Sequence, residues 1–236
     1  DVTDDASLKS ALAGASGCIF AASASGKKKG GEPIDVDYIG AYKTAKTCLD
    51  AKVSKLVLVS AGTTTRPDSA GFKATNFFVK YVYGDKIMDA KIAGESLVRD
   101  LYAASGGPGL AYSIVRPGGL NDKPSVGSEK VHVSQGDVYS SEISREDVAL
   151  VTVATLLKGK DTDFTTFELN QAEGLGKAMK SLPDLPSELV HAGAKSFDAL
   201  VDGLLTDKAI KEKYPDLIND FRGDGIPPIE TLLASK

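Results

Sequence analysis

The chain has 236 residues, with 28 Lys and Arg against 32 Asp and Glu, 42% hydrophobic residues and no Trp. That balance excludes a disordered chain, and a net charge of -4 without a dense Lys/Arg stripe leaves no footprint for DNA or RNA. The length suits one ordinary domain, alone or with an appendage; no apolar run reaches the roughly 18 to 20 residues that cross a bilayer, so a soluble or peripheral protein is expected.

Asp4 and Asp5 are N-cap candidates for a short helix that sets Leu8, Ala11, Leu12 and Ala15 at helical spacing and stops at Gly14 and Gly17. Cys18 to Ala22 are apolar on consecutive positions, which predicts a short strand covered on both faces. The basic run Lys27-Lys28-Lys29, flanked by glycine, predicts a solvated loop. Residues 35–51 place Val36, Ile39, Tyr42, Ala45 and Leu49 on one helical stripe. Cys18 and Cys48 are too few for a disulfide framework or a zinc site and are expected as two small buried thiols; no metal site is expected.

Lys55 to Ser60 is the clearest buried strand, followed by a polar turn over 61–72. Residues 73–104 predict one long helix, with Gly84 as the point for a break and Gly106-Gly107-Pro108-Gly109 as its stop. Leu110 to Val115 form the next strand, Glu146 to Leu157 the next helix, and Thr165 to Leu169 a last strand. Alternation of this kind gives a parallel sheet with helices on both faces, so the expected class is doubly wound α/β. From residue 171, Pro183, Pro186, Pro215, Pro227 and Pro228 punctuate short helical pieces with no convincing strand. The expected division is a sheet domain over 1–170 and a helical appendage over 171–236, packed on the sheet or on a protein partner.

Doubly wound dinucleotide sites carry a glycine-rich turn where the pyrophosphate meets helix N-terminal amides. This chain has no G-x-G-x-x-G. The nearest approach, Gly174-Leu175-Gly176-Lys177-Ala178-Met179, ends on a side chain too bulky for close helix–strand contact, and reads as a plain turn.

Six segments come in a telling order: Asp1-Val2-Thr3, Phe20-Ala21-Ala22-Ser23, Leu56 to Ser60, Lys91, Val115-Arg116-Pro117-Gly118-Gly119-Leu120 and Ile143 to Ala149. Together they resemble the atypical short-chain dehydrogenase/reductase proteins, in particular the NmrA-like NAD(P)-binding group, over residues 1 to about 170. The resemblance implies a Rossmann-like sheet in which Asp1-Val2 closes a third strand. The chain opens with Asp and not Met, and on this reading it is N-terminally incomplete. The strand at Cys18–Ala22 would then expose a free edge, which native proteins avoid. An N-terminal segment of roughly 60 to 80 residues, at ~30 per βαβ unit, or a partner, is expected to cover it.

The resemblance also implies site residues. Active short-chain reductases place Tyr and Lys four apart on a helix, the Lys holding the nicotinamide ribose and lowering the Tyr pKa. Lys91 falls at the Lys position, but Ile87 stands where the Tyr would be and has no proton to give. Tyr83, eight residues before Lys91, would need a distorted helix to replace it. Lys91 is thus either a cofactor contact or a solvated helix lysine. Ser60, at the carboxyl end of its strand, either orients substrate or cofactor or caps a loop. Pro117, Gly118 and Gly119 suit close backbone approach to a nicotinamide, and Ala21, Ala22 and Ser23, with Asp1 and Val2, would flank the adenosine side. Arg116 is either a charged anchor or a sheet-edge cation, Asp147 is expected to help cap its helix, and His132 is expected as an exposed strand histidine. His191 receives no role.

Three functions follow. The first is an oxidoreductase moving a hydride between NAD or NADP and an unknown small molecule. The second is a binder that uses the dinucleotide without turnover, favoured by Ile87. The third is an inactive scaffold or assembly subunit of a larger complex, such as a photosynthetic or respiratory one, held through 171–236. The choice between NAD and NADP lies on a strand this sequence lacks. The family points to the chloroplast stroma or the cytoplasm.

Overall fold

A computed structural model describes residues 1–24, 31–78, 86–105 and 107–234. Lys27 to Lys29, Tyr83, Gly84 and Gly106, which figured in the sequence reading, lie outside the described residues.

A six-stranded sheet forms the centre. Its strands β1 (Gly17–Phe20), β2 (Lys55–Val59), β3 (Ala111–Pro117) and β8 (Thr165–Gln171) run parallel, in that spatial order. Beyond β8 the sheet continues antiparallel through β5 (Val131–Ser134) to β10 (Val190–Ala192). Short pairs join β4 (Gly119–Asn121) to β7 (Glu142–Ser144), and β6 (Tyr139–Ser140) to β9 (Gly176–Lys177).

Strand alternation sends side chains to two faces. On one face Phe20, Leu56, Leu58, Tyr112 and Ile114 meet α1 (Asp5–Leu12), α2 (Ala41–Asp50) and α4 (Ile87–Ser105) through Leu12, Ala45, Cys48, Val98 and Tyr102. On the other, Val57, Val115, Phe167 and Leu169 pack against Val148 and Val151 of α5 (Arg145–Leu157). Helices therefore lie on both faces, as the alternation of elements predicts. The stretch expected as one helix over 73–104 is described as α3 (Ala70–Phe78) and α4, on either side of residues 79–85.

Local signals explain the helix ends. Asp4 caps α1 by accepting from the amides of Ala6 and Ser7. Ser144 caps α5 by accepting from the Asp147 amide, and the Asp147 carboxylate in turn accepts from the Ser144 hydroxyl and the Val126 amide. Asp147 thus does help to cap its helix. Helix α2 is preceded by a π-helical segment, Ile34–Gly40, a form that occurs mostly as short insertions near functional sites.

The C-terminal part departs from expectation. Residues 171–236 were expected to hold no strand, yet β10 forms the sheet edge beside β5, with His191 opposite Val133. Three residues between a proline-rich stretch and a glycine are too short to announce themselves by periodicity. The helical pieces are α6 (Phe197–Leu200), α7 (Asp207–Lys213) and α8 (Ile229–Ala234). Leu200, Val201 and Leu204 join the core that holds Val57 and Val115, and Ile229 packs with Tyr38, Ile39 and Ala90.

His132 also corrects its expectation. It is 5% exposed, edge-on to Tyr139 at 5.4 Å, because its strand is covered on both sides and not one. Burial, helped by the charge of His191, holds its pKa below the ordinary value.

Candidate functional site

Strands β1 and β2 end side by side, and their carboxyl ends face the start of α4. Phe20, Asp37, Leu58, Val59, Ser60 and Lys91 enclose a cavity of about 10 Å³, room for a single water. Ser60 and Lys91, both implied by the family resemblance, therefore line the same small cavity.

Lys91 is not a solvated lysine. Its side chain is 12% exposed, and its Nζ donates to Asp37 Oδ1 at 2.7 Å. The other oxygen of Asp37 accepts from the Ala24 amide at 2.9 Å, just beyond the exit of β1. The pairing depends on close approach of α4 to the π segment. A Cβ on Gly94 would sit 2.3 Å from the Asp37 carbonyl oxygen, so glycine there lets the two backbones touch. Asp37 was missed in the sequence. Its only signal was an acidic residue on the buried side of a helical stripe, and a π turn shifts that side.

The Ser60 hydroxyl is buried and makes no well-formed hydrogen bond, although it lies near enough to Glu95 to help keep that carboxylate charged. Beneath it is a buried ion cluster. Arg116 Nη2 donates to Glu95 Oε2 at 2.6 Å, Arg116 Nη1 to Glu168 at 3.3 Å, and Arg99 Nη2 to Glu95 at 3.0 Å. Arg116 is thus a buried anchor and not a sheet-edge cation. Burial opposes the charge on Glu95, but Arg116 and Arg99 outweigh it and hold the carboxyl below its ordinary value. The loop after Ser60 is fixed by Asp137, whose carboxylate accepts from the Thr63 and Thr65 amides and the Thr65 hydroxyl.

The remaining predicted residues divide. Ala21, Ala22 and Ser23 follow β1 directly and are partly or fully exposed beside the Asp37–Lys91 pair. Pro117 ends β3, and its carbonyl accepts from Gly62 two residues past Ser60. Gly118 has a reason of its own: a Cβ there would lie 2.0 Å from the Ser141 carbonyl oxygen, so the chain itself fills the space. Gly119 is exposed. Asp1 is exposed and accepts from the Thr3 amide and hydroxyl, while Val2 packs against the first core and Gly40; neither lines the cavity. Ile87 is buried against Phe72 and Met88, with Phe221 packed on the same cluster.

Residues 1–158 match the model of a family described as NAD(P)H-binding. The chain belongs to that family. It is 29% identical to a Bacillus subtilis protein named as an uncharacterized sugar epimerase, YhfK, over 72% of each chain. It is 28% identical to an uncharacterized chloroplastic protein of Arabidopsis thaliana, over 64% of this chain and 50% of that one. The crystal structure of the oxidoreductase ylbE of Lactococcus lactis superposes with a TM-score of 0.52 at 24% identity, covering 72% of this chain and 69% of that one, a likeness of fold. The resemblance to atypical short-chain dehydrogenase/reductases stands on these matches. No helix among the described residues is long and apolar enough to cross a membrane, and no group of three or more His, Cys, Asp or Glu among them could hold a metal ion.

The groups that would meet a nicotinamide dinucleotide border a gap that holds no more than a water. An orphaned hydroxyl and a lysine share a cavity at the strand ends, next to small side chains at the exit of β1. A glycine-rich cradle for the pyrophosphate is not found among the described residues.

Proposed function

We propose that this chain binds NAD or NADP with the nicotinamide ribose at Lys91 and transfers a hydride to or from a small molecule held above Ser60. The observation that supports this reading is that Ser60, at the carboxyl end of β2, and Lys91 of α4 line one gap at the carboxyl ends of parallel strands, where open α/β sheets bind ligands. When bound, the nicotinamide supplies the hydride. Lys91 holds ribose hydroxyls, with Asp37 fixing the direction of its ammonium. Ser60 offers its hydroxyl to an acceptor atom of the substrate. Ile87 gives no proton, so the proton that accompanies reduction comes from water.

The pyrophosphate cradle belongs to a further βα unit added at β1. That strand pairs with β2 alone among the described residues, and beside it α5 exposes Leu150, Val153 and Leu157, the last at 77%. Residence in a plastid is part of the proposal, supported by the likeness to the chloroplastic Arabidopsis protein.

A second reading, a dinucleotide binder or complex subunit without turnover, is favoured by the burial of Ile87 at the acid position. Titration of the full chain with NADPH and NADH, followed by nicotinamide fluorescence, tests binding. Saturation is expected, weakened at least tenfold in Lys91→Ala; no saturable binding of either overturns both dinucleotide readings. Hydride transfer to a quinone then separates enzyme from binder.

A further inference from the structure

The two cysteines meet on one face of the sheet. Along β1, Cys18 and Phe20 are screened while Ile19 between them is exposed, the alternation of a strand with one covered face. That face lies under α2. Cys48, in the last turn of α2, is fully buried in the core that holds Phe20, Ala45, Val53 and Leu56, and Cys18 packs against the same core. The Val53 amide donates to the Cys48 carbonyl at 2.8 Å, which turns the chain straight from α2 toward β2 and fixes Cys48 over the sheet. Each thiol is close enough to act on the other, and they differ in access: Cys18 is partly exposed and Cys48 is not.

A third polar group shares this core. Tyr102 of α4 is 3% exposed and edge-on to Tyr112 at 5.6 Å, and its hydroxyl has no hydrogen-bond partner among the described residues. Burial, and then the nearness of the two sulfurs, pushes its pKa up, so it stays a phenol with a proton to share. A buried hydroxyl left unsatisfied is costly, and phenylalanine would fill the same place without that cost. Two thiols and an unpartnered phenol thus stand together where purely structural duties would be met by Ala, Val and Phe.

We propose that Cys18 and Cys48 are an internal dithiol that a peroxide oxidises to a disulfide, with Tyr102 donating a hydrogen bond to the departing oxygen. Cys18, the partly exposed thiol, is the one the peroxide reaches. Its sulfur takes one peroxide oxygen as the O–O bond breaks, and the other oxygen leaves as water with the thiol's proton, which makes Cys18 a sulfenic acid. The Cys48 sulfur then attacks the Cys18 sulfur; the S–O bond breaks, and the hydroxyl leaves with the Cys48 proton as a second water. Two electrons pass from the sulfurs to the peroxide, whose oxygens end in the two waters. The ring so closed runs from Cys18 to Cys48 and encloses Ala24 and Asp37, whose hydrogen bond at 2.9 Å holds the exit of β1. Oxidation ties β1 to α2 whether or not a dinucleotide binds at Lys91.

The full chain, dilute and without dinucleotide, is treated with hydrogen peroxide at neutral pH, then unfolded in urea and labelled with N-ethylmaleimide for intact-mass and peptide analysis. The expected product is lighter by two hydrogens, unlabelled at both cysteines, and yields a linked Cys18–Cys48 peptide that dithiothreitol releases. Cys48→Ala stops at the sulfenic acid, which dimedone captures on Cys18. Tyr102→Phe forms the disulfide about fivefold more slowly, the worth of one hydrogen bond. Thermal melts verify that both variants fold. The proposal is overturned if the folded parent collects dimedone on Cys18 while Cys48 stays a free thiol, if the linked peptide joins only separate chains, or if both thiols survive peroxide until urea is added. Tyr102→Phe reacting at the parent rate overturns the part given to the phenol.

Discussion

Lys91 and Asp37 meet across the gap between α4 and the π segment, Nζ 2.7 Å from Oδ1, and the same carboxylate holds the Ala24 amide at the exit of β1. One buried acid therefore ties together three elements around the cleft. Asp37→Ala leaves the ammonium and the amide without partners in a nearly closed site. The expected loss is about 3 kcal/mol, the low end for breaking a buried pair, because Lys91 keeps some contact with water. Asp37→Asn retains an acceptor for Ala24 and recovers part of that loss. Urea unfolding measures both, and an unchanged midpoint in Asp37→Ala means that the pair is not formed in solution.

The parallel half of this fold was legible in the sequence because its strands are continuous apolar runs and its helices carry one-sided stripes. Lys55 to Ser60 and the helix from residue 145 needed nothing more. Strand β5 was legible only as the alternation around His132, and β10 not at all: four and three residues long, they gain their place in the sheet by pairing with β8 and with each other, a long-range event that no local pattern records. Of the candidate site, Ser60 was legible as the carboxyl end of its strand, and Lys91 only through the family resemblance. Asp37, Glu95 and Asp137 were not, because a buried carboxylate looks like any other acidic residue until its partners arrive from elsewhere in the chain.

Cys18 and Cys48, thirty positions apart in sequence, pack in the same core between β1 and α2, close enough for each thiol to act on the other. The Cys48 thiol lowers the Cys18 pKa, against the effect of burial, and Cys18 in turn raises that of Cys48, which is fully buried. The thiolate is the reactive form, so Cys18 is expected to alkylate first with iodoacetamide at pH 7.5 and Cys48 only on unfolding. Replacing Cys48 by Ala removes that influence and slows Cys18. Equal rates at the two thiols in the native protein, or a faster Cys18 in Cys48→Ala, contradict this account; peptide mapping after timed quenching decides.

Glu168 makes stability depend on pH in a definite direction. Its carboxyl ionises at about 7 in the fold against 4.5 ordinarily, so folding favours the protonated form. That contribution is complete below about 4.5, declines as pH rises, and is gone above about 7. At about 1.4 kcal/mol per pH unit the span is on the order of 3 kcal/mol. His132 slopes the opposite way below its ordinary 6.5, since its folded pKa is depressed. It is common to parent and variant, and cancels in their difference. The stability of the parent minus that of Glu168→Gln is therefore expected to fall between pH 4.5 and 7 and level off above. A difference that stays constant across that range means Glu168 ionises normally.

Ile87 stands four residues before Lys91, where the family resemblance would place a tyrosine, and restoring that residue is the direct test of whether the position is a vacant acid site. It is not vacant space: Ile87 is 4% exposed, packed with Phe72 and Met88, and Phe221 closes on the same cluster, edge-on to Phe72 at 5.6 Å. A phenol put there overfills a packed core, at a cost of about 1 to 3 kcal/mol. Its hydroxyl also enters apolar surroundings that offer it no partner. Ile87→Tyr is therefore expected to lower the thermal midpoint without raising the rate of hydride transfer to a quinone. Adding Phe221→Ala makes room for the ring and recovers part of the stability. Should Ile87→Tyr alone fold as well as the parent and turn over faster, the apolar cluster is loose in solution and the position is a working acid site that this chain has merely left unfilled.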